Sequence, residues 1–153
     1  MGSYNFDIDL QKAKVTEAEV AKLLRKRYGD IDIETCDTID YDIRFLDGND
    51  QEVTIEIKED FSCMNSGNVC LEYWCRGKPS GIDATKAKFF LYKIHVSPVQ
   101  REFYICTSEK LRKLIADGQY LRKFENKGDP NSGTCGYLFR LTEWRKFATR
   151  LKL

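Results

Sequence analysis

Two short alternating stretches, Asp40-Tyr41-Asp42-Ile43-Arg44-Phe45 and Val53-Thr54-Ile55-Glu56-Ile57-Lys58, constrain this chain more than any other feature. A strand sends successive side chains to opposite faces, so Val53, Ile55 and Ile57 share one side while Thr54, Glu56 and Lys58 share the other. Tyr41, Ile43 and Phe45 oppose Asp40, Asp42 and Arg44 in the same way. The turn formers Asp47-Gly48-Asn49-Asp50-Gln51 lie between them, which predicts an antiparallel hairpin. If residues whose numbers sum to 98 face each other, Asp42 lies opposite Glu56 and Asp40 opposite Lys58. Directly opposed Cβ atoms lie about 4.5–5.5 Å apart, close enough for two carboxylates to share one divalent cation. A half-solvated sheet also shows a charged face, so the alternation alone does not separate a site from a solvated surface.

The remaining sequence predicts one compact α+β domain. A length of 153 residues with 42% hydrophobic and 12% aromatic content supports a real core. Apolar periodicity over Glu17–Tyr28 predicts a helix ended by Gly29, with Thr16 and Glu19 matching a capping box. Strands are expected over Ile31–Cys36, Asp40–Leu46, Val53–Lys58 and Val69–Cys75, joined as an antiparallel meander. Glu72, on the fourth of these between Cys70 and Trp74, is read as a further metal ligand, a partner of Lys58 or a residue of a solvated edge. Strands over Phe89–Val96 and Glu102–Cys106, a Ser108-capped helix to Asp117, a loop over Lys127–Gly136, a strand over Tyr137–Leu141 and a Thr142-capped last helix complete the pattern.

Charge is distributed unevenly. Residues 1–60 hold 8 Lys/Arg against 16 Asp/Glu, and residues 61–153 hold 17 against 8. An acidic cluster suits a metal and a basic surface suits a polyanion; intermixing of the two in the fold is the competing reading. The basic loop Arg76-Gly77-Lys78-Pro79-Ser80-Gly81-Ile82-Asp83 matches a second capping box, and Arg76, Lys78, Ser80 and Lys86 form a candidate phosphate seat at a short helix start. Six cysteines without a C-x-x-C pair give neither a zinc site nor a disulfide framework. His95 is the only histidine and has no partner recognisable in the sequence, with Cys106 left open as a neighbour. No apolar run approaches the ~20 residues of a bilayer span and no signal-peptide pattern is seen, so no membrane partner and a cytoplasmic location are expected, or a nuclear or host-cytoplasm one for a viral protein.

Asp42 followed one strand later by Glu56-Ile57-Lys58 resembles the signature of the PD-(D/E)xK, or restriction-endonuclease-like, nuclease superfamily, of the small viral or prokaryotic type. Tyr41 stands where that motif has its proline. The resemblance covers roughly residues 16–106 and leaves 107–153 as an extension of the core. It implies a central mixed sheet flanked by helices and a DNA endonuclease hydrolysing phosphodiester bonds. Asp42, Glu56 and Lys58 would be catalytic, and Asp42, Glu56 and the Ile57 carbonyl would hold Mg²⁺, with Mn²⁺ able to substitute. It also implies a further acidic ligand from Glu19 on the first helix, and action as a homodimer. The alternative is a catalytically inactive module of the same fold that binds nucleic acid or another protein.

Overall fold

The computed structural model describes residues 6–36, 38–126, 128 and 133–153. Helix α1 spans Phe6–Tyr28 and is followed by strands β1 (Glu34–Thr35), β2 (Ile43–Leu46) and β3 (Glu52–Asp60). A single-turn helix α2 (Cys63–Ser66) leads to β4 (Asn68–Cys75) and β5 (Lys78–Pro79), and a 3₁₀ turn at Gly81–Asp83 precedes the long hairpin of β6 (Phe89–Ser97) and β7 (Gln100–Thr107). Helix α3 (Ser108–Ala116), β8 (Arg122–Phe124), β9 (Cys135–Arg140), α4 (Leu141–Phe147) and β10 (Thr149–Leu151) follow.

These strands form two sheets. The larger has the order β1-β2-β3-β6-β7-β10, and the smaller β5-β4-β9-β8. The larger sheet is mixed: β3 and β6 run parallel, and every other neighbouring pair is antiparallel. Its first hairpin has the register read from the sequence, with Ile43 opposite Ile55, Arg44 opposite Thr54, Phe45 opposite Val53 and Leu46 opposite Glu52. The turn is held by Asp47, whose Oδ1 accepts the N–H groups of Asn49 and Gln51.

The larger sheet is buried on both faces, which explains the nearly continuous apolar run Phe89–Ile94 interrupted only by Lys93. Ile43, Phe45, Val53, Ile55, Leu91, Phe103 and Ile105 pack under α1, against Val20, Leu23 and Leu24. Phe90, Tyr92, Ile94, Tyr104 and Cys106 face the other way and meet Val69, Leu71, Phe139, Leu111 and Trp144 from the smaller sheet, α3 and α4. The architecture is therefore α+β in three layers, with a helix, a mixed sheet, and a second sheet backed by short helices. Each fully buried Leu, Ile or Phe contributes about 1.5–3 kcal/mol through removal of its surface from water.

The structure differs from the sequence expectations at several elements. Helix α1 begins at Phe6, so Thr16 is not an N-cap. It sits mid-helix on the buried face, where its hydroxyl donates to Glu59 and accepts from Lys93. Strand β4 does not continue the first meander: after Asp60 the chain turns through α2, and β4 pairs with β9 and β5 in the second sheet, leaving β3 to pair with β6. The expected helix after Ser80 is a 3₁₀ turn of three residues. The cap of α3 is Thr107, whose side chain accepts from the Lys110 N–H, while Ser108 donates to the Ala87 carbonyl. The last helix begins after Arg140 without a side-chain cap, so Thr142 does not cap it, and Leu151 lies on the following strand β10. Residues 107–153, read from the sequence as an extension, supply β9 and β8 to the second sheet and β10 to the edge of the first. The loop expected over Lys127–Gly136 lies largely outside the described residues, except that Cys135 and Gly136 belong to β9. No helix of the described residues is long and apolar enough to cross a membrane.

Candidate active site

The hairpin opens at its mouth, and this opening builds the site. Within β2 and β3 the paired residues sum to 98, but the Asp42 N–H bonds to the Ile55 carbonyl at 2.9 Å, one residue out of step. A shift of this kind bends a strand and re-aims its side chains. The Asp42 carboxylate turns towards the edge of β3, where its Oδ2 accepts the Ile57 N–H at 2.7 Å. Meanwhile the Asp42 carbonyl accepts from the Cys36 N–H at 2.7 Å, so both ends of the residue are fixed. A strand residue sends its N–H and C=O to the same edge, so the Ile57 carbonyl also points to the Asp42 side, past the end of β2.

Glu56 and Lys58 stand on the face of β3 away from α1. The Lys58 Nζ lies 3.6 Å from Glu56 Oε1, and the Glu56 side chain is only 15% exposed. Thr85, buried in the segment between the 3₁₀ turn and β6, donates to the Asp40 carbonyl at 3.0 Å, and the same hydroxyl lies 3.3 Å from Glu56 Oε2. Arg112 of α3 donates to the carbonyls of Ile82 and Thr85, tying this segment to the helix layer. Asp40 is not opposite Lys58, as the sequence predicted. Its carbonyl accepts the Lys86 N–H, and its carboxylate lies 3.9 Å from the Lys86 ammonium.

Electrostatically, Asp42 and Glu56 are a strained pair. Burial pushes the Asp42 carboxyl above its ordinary range, against the Ile57 N–H and the Lys58 charge. Burial likewise raises Glu56, and the negative charge of Asp42 raises it further, against Lys58 and Thr85. Two half-buried carboxylates with one lysine retain an excess negative charge that a divalent cation would relieve. The donors, two carboxylates and a backbone carbonyl, are the hard oxygens that Mg²⁺ takes, with waters and substrate phosphates completing its octahedron. These donor types suit the ion.

The other sequence candidates lie elsewhere. Glu19 faces Lys93, at 2.6 Å, and Arg101. Burial alone would raise its carboxyl, but the hydrogen bonds and charges of those two cations hold it below the ordinary value. Lys93, only 5% exposed, also lies 3.9 Å from Glu59. Charges of the acidic and basic halves of the chain therefore intermix under α1. Glu72 accepts the Ser80 hydroxyl at 2.8 Å, so Ser80 is neither a helix cap nor free to meet a phosphate. Among the described residues no three carboxylate, imidazole or thiol groups gather to enclose a metal ion. Arg76, Lys78 and Lys86 are exposed around the loop, but its 3₁₀ turn is too short for a helix-terminus anion seat. His95 does have a partner: its Nε2 lies 2.6 Å from Glu59 Oε2. Cys106 packs in the core on the opposite face of the sheet, so no Cys–His pair forms.

Sequence reasoning missed Thr85, Asp60 and Tyr92. Asp60, buried at the end of β3, accepts from the Ser62 hydroxyl and from the N–H groups of Cys63 and Cys70, holding α2 and β4 to the site strand. Its signal was present, because an aspartate two and three residues before Ser62 and Cys63 is a local cap pattern. Tyr92 donates to the Cys70 carbonyl from β6, a contact no local pattern reveals. No disulfide joins the described cysteines, and burial pushes Cys63 up to about 11 and Cys70 up to about 12, so both stay protonated near neutrality. No protein-family model, curated protein or solved structure matches the chain.

Proposed function

We propose that this protein is a metal-dependent nuclease of the PD-(D/E)xK type that hydrolyses phosphodiester bonds, with DNA as its substrate. The observation that carries the reading is the Asp42 carboxylate anchored on the Ile57 N–H of β3, with Glu56 and Lys58 as the neighbours of Ile57 along that strand. The mixed sheet supports it, with an initial helix over one face and the acids on the first hairpin. In this reading Asp42, Glu56 and the Ile57 carbonyl hold Mg²⁺ or Mn²⁺. When bound, the ion supplies Lewis acidity to the phosphoryl oxygens and lowers the pKa of a coordinated water. The Ile57 N–H holds the Asp42 carboxylate in place, and Thr85 fixes the rotamer of Glu56. Lys58 brings its ammonium to the same face, where it orients the attacking water and opposes the charge that develops on phosphorus. The exposed cations Arg76, Lys78 and Lys86 line the approach of the polyanion, a screened attraction that falls steeply with salt. Cutting both strands of a duplex would take two copies of the site, supplied by a homodimer.

A second reading, a module of the same fold that binds nucleic acid without cutting it, is favoured by one observation. Glu19 is occupied by Lys93 and Arg101 and adds no third carboxylate to the pair. Both readings are tested by incubating the protein with supercoiled plasmid, branched DNA, single-stranded DNA and RNA in Mg²⁺, Mn²⁺ or EDTA. Cleavage that needs metal and disappears in Asp42→Ala and Glu56→Ala supports the nuclease. Salt-sensitive binding without turnover supports the module, and neither binding nor turnover sinks both.

A further inference from the structure

Phe61 follows directly after β3 and is the one aromatic among the exposed large hydrophobics of the described residues, at 47% exposure. The His95 imidazole stacks on its ring with centroids 4.3 Å apart and planes 11° from parallel. His95 is in turn bound to Glu59 at 2.6 Å, and Glu59 accepts the Thr16 hydroxyl of α1 at 3.0 Å. The stack stabilises the fold and also limits the ring's freedom, so part of the ordering cost of a ligand stacked on it is met before the ligand arrives.

The position of the ring gives it a use. Phe61 lines a groove of about 350 Å³ together with Lys58, Asp60, Cys70, Glu72 and Tyr92, so the ring and the Lys58 ammonium border the same space. We infer that Phe61 is a stacking platform for an unpaired nucleobase next to the phosphate held at Lys58, which makes single-stranded or locally opened nucleic acid the preferred substrate. The inference rests on the nuclease reading and names its substrate class. A base inside an intact duplex has both faces covered by its neighbours, so only an unstacked base offers a π-face to the ring. Stacking tolerates any base sequence, so the platform selects strand state and leaves sequence unread.

The test is fluorescence anisotropy with a labelled single-stranded 12-mer, as DNA and as RNA, and a blunt duplex of the same sequence, in Ca²⁺ at fixed salt. Wild type, Phe61→Ala, Phe61→Leu and Phe61→Trp are compared, with plasmid cleavage in Mg²⁺ measured on the same preparations. Loss of one stacked base is worth at least about fivefold in affinity. The ratio of single-strand to duplex affinity should therefore fall at least about fivefold in Phe61→Ala and Phe61→Leu, and stay near wild type in Phe61→Trp. Leucine keeps apolar bulk against His95 without a π-face, so equal loss in both variants separates stacking from packing. Wild-type cleavage with the ratio unchanged in Phe61→Ala overturns the platform and leaves the nuclease standing. If the wild type neither binds nor cleaves any of these nucleic acids, both fall together.

Discussion

Replacing Gly81 by alanine probes the close approach that shapes one wall of the site. Gly81 has φ +51°, and a Cβ built there would sit 2.1 Å from the Glu72 carbonyl oxygen and 2.8 Å from its carbon. These are backbone atoms of β4, so nothing can rotate aside and the strand or the turn must move. The left-handed conformation costs an L-residue about 1–2 kcal/mol. Forcing added volume into a packed site costs about 1–3 kcal/mol more. The sum, about 2–5 kcal/mol, corresponds to a fall in Tm of roughly 4–20 °C for a domain of this size. Gly77 is the control, because it has φ +81° with nothing within 4 Å of its Cβ, so Gly77→Ala should incur the conformational cost alone. The Gly81 carbonyl accepts the Thr85 N–H at 2.9 Å, so the displacement also draws Thr85 away from Glu56. Thermal melting of both variants, read by circular dichroism, decides the matter. If Gly81→Ala melts no lower than Gly77→Ala, the argument from close approach is refuted.

Further predictions concern the charged groups. The raised Glu56 carboxyl means that the fold prefers it protonated: that stability is fully present below its ordinary value of 4.5 and lost as the pH rises through the folded value. Glu56→Gln should therefore melt above wild type at pH 7.5 in EDTA, with the gap closing in acid; a lower melting point would contradict the assignment of a strained carboxylate pair. Arg145→Ala should destabilise by about 1–3 kcal/mol, because it removes two charge-assisted hydrogen bonds, at 3.0 and 2.8 Å, from the Glu102 carboxylate, 2% exposed, which keeps the Tyr104 hydroxyl and Arg150 as neighbours. Arg145 hydrogen bonding holds Glu102 below its ordinary range, so this stabilisation is present above 4.5 and lost as pH falls. Urea melts of Arg145→Ala and wild type should converge in acid, and a constant difference across pH would refute the pairing.

Local alternation made the pairing of Ile43–Leu46 with Glu52–Ile55 legible, since a slip of one would have turned Val53, Ile55 and Ile57 out of the α1 core. It also placed Glu56 and Lys58 on one face of β3, while the step out of register at Asp42 was hidden. What the sequence concealed was non-local. The parallel β3–β6 pair joins residues more than thirty apart, and nothing in Val69–Cys75 announces that it leaves for a second sheet. Strands β8 and β10 have three residues each, too few for a period to register. Thr16-x-x-Glu19 matched a helix start, yet both side chains are spent on tertiary partners, Glu59 and Lys93. The partners of Glu19, Glu72 and His95 lie 82, 8 and 36 residues away, in Arg101, Ser80 and Glu59, so only the fold could assign them.

The most direct test of the central claim separates metal holding from chemistry in Lys58→Ala. Lys58 stands beside Glu56 without being one of the oxygen donors, so its removal should leave Mn²⁺ binding intact while abolishing its charge at phosphorus. Mn²⁺ affinity by calorimetry and plasmid cleavage should be measured on one preparation each of wild type and variant. The account predicts Mn²⁺ binding retained and cleavage reduced by about 10²-fold or more. Cleavage undiminished in Lys58→Ala would contradict it.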